Sequence, residues 1–140
     1  MIEKSVILHC DPERAFALFT ASISDWWPKT HRLSKDPESV LTMESTGRFW
    51  ERATDGREVE LGRVLLWEPP ARIVMDFYLG TNPNQPTEVE ILFSPSGTST
   101  LVTVHHRSKP GSEDLWMLRA PAFDRNWSVV LGEFAAVVNE

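Results

Sequence analysis

The sequence predicts an α+β domain in which a curved antiparallel β-sheet wraps around a long C-terminal α-helix, with two short helices near the N-terminus. Three observations carry this reading. Apolar and polar residues alternate at period two through most of residues 40–107, with turn-forming residues between the runs. From Pro121 onward the apolar residues recur at helical spacing instead. A length of 140 residues suits a single hydrophobic core, so one domain over 1–140 is expected.

The elements follow in order. Val6, Ile7 and Leu8 crowd into a first strand. Asp11-Pro12-Glu13 then supplies a cap, a first-turn proline and an acid ahead of Ala15, Phe16, Leu18 and Phe19, which predicts a helix. Ser22 to Trp27 extends it or forms a second short helix, and Pro28 stops it by pushing the preceding residue out of the α region. Lys29 to Pro37 is polar and reads as a loop.

Five or six further strands are expected. Val40–Met43 is short, and Gly47–Ala53 ends at the turn dipeptide Asp55-Gly56. Val59–Glu68 sets Val59, Leu61, Leu65 and Trp67 on one face, and Pro69-Pro70 closes it. Arg72–Leu79 sets Ile73, Met75, Phe77 and Leu79 on one face, and Gly80–Pro86, with its Asn and Pro, reads as a loop. Thr87–Phe93 turns Val89, Ile91 and Phe93 inward, and Ser94-Pro95-Ser96-Gly97 leads into Leu101–Arg107. Alternation of this kind makes one wet face and one dry face. The dry face is covered by Phe123, Trp127, Val130, Leu131, Phe134, Ala135 and Val138, about 18 residues of helix spanning roughly 27 Å. A separate helical turn around Leu115–Leu118 is expected to break at Pro121. One helix cannot fill the hollow of a twisted sheet, so a cavity between them is expected.

Composition excludes several functions. A net charge of −6 opposes binding to nucleic acid or to anionic membranes, since both require Lys and Arg to neutralise phosphates. No apolar run approaches the roughly 20 residues of a membrane span, and Met1-Ile2-Glu3-Lys4 opens no secretory signal, so a cytoplasmic protein is expected. Cys10, the single cysteine, can make no internal disulfide and no thiolate zinc site, and reads as a small buried hydrophobe, with a lone nucleophile as the alternative. His105 and His106 are neighbours on a strand and point to opposite faces, so they do not chelate together; neither a metal nor a cofactor is expected.

Several residues stand out as candidates for a site. Trp26 and Trp27 precede a proline at the expected cavity rim, where they line the pocket or where one of them plugs the core. Glu51 shares a side with Phe49. It is either a carboxylate in the cavity, acting as general base or ligand anchor, or a partner of Arg48, Arg52 or Arg63 in a structural ion pair. It is the one candidate for catalysis. His106, by parity with Val102 and Val104, is either a polar contact in the cavity or a hydrogen-bonded structural histidine. His31 reads as a solvated loop side chain, with a place on the rim as the alternative. Together with these, Met75, Phe77, Ile91, Phe123, Trp127 and Leu131 are expected to form the wall that meets a ligand.

Asp25-Trp26-Trp27-Pro28 with His31, Gly47-Arg48-Phe49-Trp50-Glu51-Arg52 with Asp55-Gly56, Gly62-Arg63-Val64 with Trp67-Glu68-Pro69-Pro70, and Thr87-Glu88-Val89 with His106 form a set of motifs. In this order they resemble, over nearly the whole chain, the activator of heat-shock-protein-ninety ATPase homologue-like branch of the START-like superfamily, also called SRPBCC or pollen-allergen-like. The resemblance implies a helix-grip fold whose cavity, in relatives, holds lipids, steroids, polyketides or other apolar molecules. It therefore implies a small apolar molecule as partner. It offers two alternatives, an enzyme like the polyketide cyclases and aromatases, and a protein-interaction module like the chaperone activator's domain.

Overall fold

A computed structural model describes residues 1–139. Strand β1 (Ile2–Leu8) leads into helix α1 (Pro12–Thr20) and helix α2 (Ile23–Trp26); the loop after them opens with a 3₁₀ turn at Lys29–His31. Six strands follow: β2 (Val40–Met43), β3 (Arg48–Arg52), β4 (Glu58–Glu68), β5 (Arg72–Asn82), β6 (Gln85–Ser96) and β7 (Ser99–Arg107). Helix α3 (Glu113–Val138) ends the chain. All neighbouring strands are antiparallel, in the order β1-β7-β6-β5-β4-β3-β2.

Local chemistry explains the N-terminal turn. Asp11 caps α1, its carboxylate accepting the Arg14 N–H at 2.8 Å, and Pro12 occupies the first turn, where no amide donor is needed. Phe16 and Phe19 then face inward and meet Phe93 of β6, with ring centroids 5.1 and 5.8 Å away. The core is the layer between the hollow of the sheet and α3. From the sheet come Phe49, Leu61, Val64, Ile73, Met75, Phe77, Val89, Ile91, Phe93, Val102 and Val104; from α3 come Phe123, Trp127, Val130, Leu131 and Phe134. At its C-terminal end α3 is fastened to the edge strand: Asn139 donates to the Ile7 carbonyl at 2.9 Å and accepts the His9 N–H at 2.8 Å. Those bonds cover backbone groups that an open edge would leave unpaired.

Three expectations need correction. The stretch Gly80–Pro86 is not a loop, because β5 and β6 continue through it to a tight hairpin in which Asn82 pairs with Gln85. Asn and Pro mark only its tip, and Gly80, at φ +77°, lies in the irregular stretch between Phe77 and Asn82 where the register shifts. In β4, Leu65 is exposed and Val64 is buried, the reverse of the expected facing. Leu61 and Leu65 are extra residues with no partner opposite, and each shifts the side-chain phase by one. Finally, α3 does not break at Pro121 and runs for 26 residues, roughly 39 Å. The proline sits on the exposed side, as does Met117, whose carbonyl it leaves without a backbone donor.

Candidate functional site

A cavity of about 490 Å³ opens between α3, the end of β5 and the loop after α2. Its apolar lining includes Trp27, Phe77, Leu79, Phe123, Trp127 and Val130, with Gly80 and Ala122 giving it width. Its polar lining includes Thr30, His31, Arg32, Lys35, Arg119 and Asn126.

The wall is held in place from behind by His106. This imidazole is fully buried against Phe77, Trp116, Phe123 and Trp127. Its Nδ1 accepts the indole N–H of Trp127 at 2.9 Å, so its Nε2 carries the proton and donates to Thr87 Oγ1 at 2.7 Å. The Thr87 hydroxyl in turn donates to the Phe77 carbonyl at 3.4 Å. Burial pushes the His106 pKa down to about 3, which keeps the ring neutral and this chain of bonds intact. The indole of Trp127 is thereby locked, and it stands nearly perpendicular to Trp27, 86° between planes and 6.4 Å between centroids.

Glu51 fastens the opposite side of the cavity. Its carboxylate is fully buried and accepts two backbone N–H bonds from the loop, Leu33 at 3.0 Å and Ser34 at 2.6 Å. Arg32, in the same loop, is buried too. It donates to the carbonyls of Ser39 at 2.6 Å, Trp27 at 2.9 Å and Ser24 at 3.0 Å. Burial pulls the guanidinium pKa below its ordinary value, and Glu51 opposes that shift as the leading negative charge nearby. Asp36 clips the same loop to Thr54, accepting its N–H at 2.7 Å and its hydroxyl at 2.8 Å. These anchors hold Lys35, in the left-handed region at φ +66°, at the cavity wall.

Of the residues singled out from sequence, Trp27, Phe77, Phe123 and Trp127 line the cavity together. Trp26 lies in the core instead, its ring 4.3 Å from Phe134 and its N–H on the Leu18 carbonyl at 2.9 Å. Phe49, Met75, Ile91 and Leu131 are buried in the core behind or beside the cavity and do not line it. Glu51 and His106 do not line it either; both hold residues that do. Glu51 makes no ion pair with Arg48, Arg52 or Arg63, because it points inward while Arg48 and Arg52 pair with Glu58 on the wet face. His31 does line the cavity, its ring set between Thr30 Oγ1 at 2.9 Å and Asn126 Oδ1 at 3.3 Å. Lys35, Arg119 and Asn126 also line it, though no local pattern in the sequence marks them as site residues. Among the described residues no group of His, Cys, Asp and Glu is placed to hold a metal ion, and no helix is long and apolar enough to cross a membrane.

A seven-stranded antiparallel sheet bent around one long helix, with a cavity between them, defines a helix-grip protein of the START-like kind. The chain belongs to the family described as activator of Hsp90 ATPase homolog 1-like protein, which matches it over residues 9–139. Among solved structures it is similar to the self-sacrificing resistance protein CalC from Micromonospora echinospora, at 20% identity over 98% of this chain and 92% of that one, with a TM-score of 0.73. It is similar also to the anthrahydroquino-γ-pyrone synthase Txn09, at 29% identity over 84% of this chain and 83% of that one, with a TM-score of 0.55. CalU16, likewise from Micromonospora echinospora, is 14% identical over 97% of this chain and 72% of that one, with a TM-score of 0.64. No protein of curated function matches the sequence.

Proposed function

We propose that the chain binds a small, flat, apolar molecule in the cavity walled by Trp27, Phe77, Phe123 and Trp127. The observation that carries this reading is the cavity itself, about 490 Å³, within the range that encloses drug-sized ligands. Its main aromatic wall is fixed in advance by His106, so little ordering cost falls on binding. A protein-interaction module of the chaperone-activator kind calls for a collapsed cavity, and this one is open. The test fills the space. Replacing Ala122, which lines the cavity from α3, with Trp should abolish binding of aromatic ligands detected by quenching of indole fluorescence. Ligands that bind the Ala122→Trp protein as well as the parent would place the site elsewhere.

A second reading, a cyclising enzyme, rests on His31. An imidazole on the wall of an apolar cavity, bracketed by Thr30 and Asn126, is placed to move a proton to or from a bound substrate. Txn09, a synthase of an anthrahydroquino-γ-pyrone by its name, is 29% identical to this chain and supports the same reading. His31→Ala should then stop conversion of a polyketide-type precursor while leaving its binding within a few-fold. If wild-type protein binds such precursors and returns them unchanged, binding alone is the function.

A further inference from the structure

The charges around the cavity do not match those of the chain. The sequence has twenty Asp and Glu against fourteen Lys and Arg, yet no acid lines the cavity, while Lys35, Arg119 and the buried Arg32 all do. Arg32 is committed to three backbone carbonyls. Lys35 and Arg119 are exposed and, among the described residues, neither makes an ion pair; Arg14, Arg63 and Arg125 make none either, but they lie off the cavity, while Lys4, Lys29, Lys109, Arg48, Arg57 and Arg72 are all paired. The carboxylate behind the wall, Glu51, is taken up by the Leu33 and Ser34 amides and does not face the cavity.

Two free cations on a cavity with one aromatic wall and no acid form a positive region in an acidic protein, and low-dielectric walls strengthen its field. Resting on the small-molecule reading above, we propose that the ligand is an aromatic molecule carrying an anionic oxygen group, with its ring against the aromatic wall and its anion held by Lys35 and Arg119. The arrangement separates the two tasks of recognition. The indole and phenyl rings supply affinity for any flat apolar body, and the two cations select those with a negative charge. The anchors on the loop gain a purpose here: Glu51 and Asp36 hold in one shape the segment that brings Lys35 to the cavity.

The experiment compares naphthoate with naphthamide of the same substitution, which share ring and shape and differ in charge. Quenching of indole fluorescence in low salt should show naphthoate binding at least about tenfold more tightly, a gap that narrows as salt screens the contact. In the double variant Lys35→Gln, Arg119→Gln the gap should close through weaker naphthoate binding, with naphthamide affinity kept within about twofold. Equal affinities in the wild type overturn the charge assignment and leave the apolar-ligand reading standing. Failure of both compounds to bind overturns both. A gap that persists in a folded double variant also overturns the assignment, and if that variant fails to fold, the salt dependence of the wild-type gap decides.

Discussion

The carboxylate of Glu51 accepts the backbone N–H of Ser34 at 2.6 Å, across seventeen residues of sequence and from inside the core. The bond joins strand β3 to the loop that carries Arg32 and Lys35. Glu51→Gln keeps the shape but turns an amide NH₂ toward a backbone donor and strips Arg32 of its leading counter-charge. Destabilisation of about 2–4 kcal/mol is expected in urea unfolding. An unchanged midpoint would mean that the loop is held by its other contacts.

His106 makes stability depend on pH. Its folded pKa is depressed from 6.5 to about 3, so the neutral ring is favoured in the native state. Its contribution is complete above the unfolded pKa and is lost as pH falls through that window toward 3, with a slope approaching about 1.4 kcal/mol per pH unit. The difference in unfolding free energy between wild type and His106→Asn, followed from about pH 7 down to about pH 4, should therefore shrink as acid is added. A difference that stays constant would show that this ring does not resist protonation.

Gly80 is required twice over. It sits at φ +77°, and a Cβ there would lie 2.6 Å from Cε1 of Phe123. Gly80→Ala should cost about 1–3 kcal/mol and displace the Phe123 ring, changing the affinity of any ligand that uses that wall. Thermal melts together with a ligand titration check both effects.

Pro121 withholds one hydrogen bond from the middle of α3. Pro121→Ala restores a donor to the Met117 carbonyl and should raise stability by about 1–2 kcal/mol, the gain in helix formation exceeding the added freedom of the unfolded chain. A lower melting temperature would assign the proline a packing role.

The strand pattern and the amphipathic rod were readable because burial on one face imprints a period on the sequence, as at Ile73, Met75 and Phe77. What escaped was of two kinds. Irregular backbone leaves no period: nothing in the residue pattern marks the bulges at Leu61 and Leu65 or the φ of Gly80, so neither the facing of Leu65 nor the length of the β5–β6 hairpin is readable from it. Convergence of distant polar residues leaves no local trace either. His31 and Asn126, 95 residues apart, meet only because α3 passes over the loop after α2. The inward parity of Glu51 and His106 was legible, whereas their partners, the Ser34 amide and the Trp127 indole, were not.

The two bulges of β4 compensate one another. Val59 and Trp67 are in step, both odd-numbered and turned to the hollow, while Gly62 and Val64 between them are even-numbered and turned the same way. A strand with one slip would present half its apolar set to water; with a second slip it can bend and still return to its starting rhythm. Removing either Leu61 or Leu65 alone would invert every side chain on one side of the cut, so the bend of β4 is encoded as a pair of insertions that preserve the strand's facing only together.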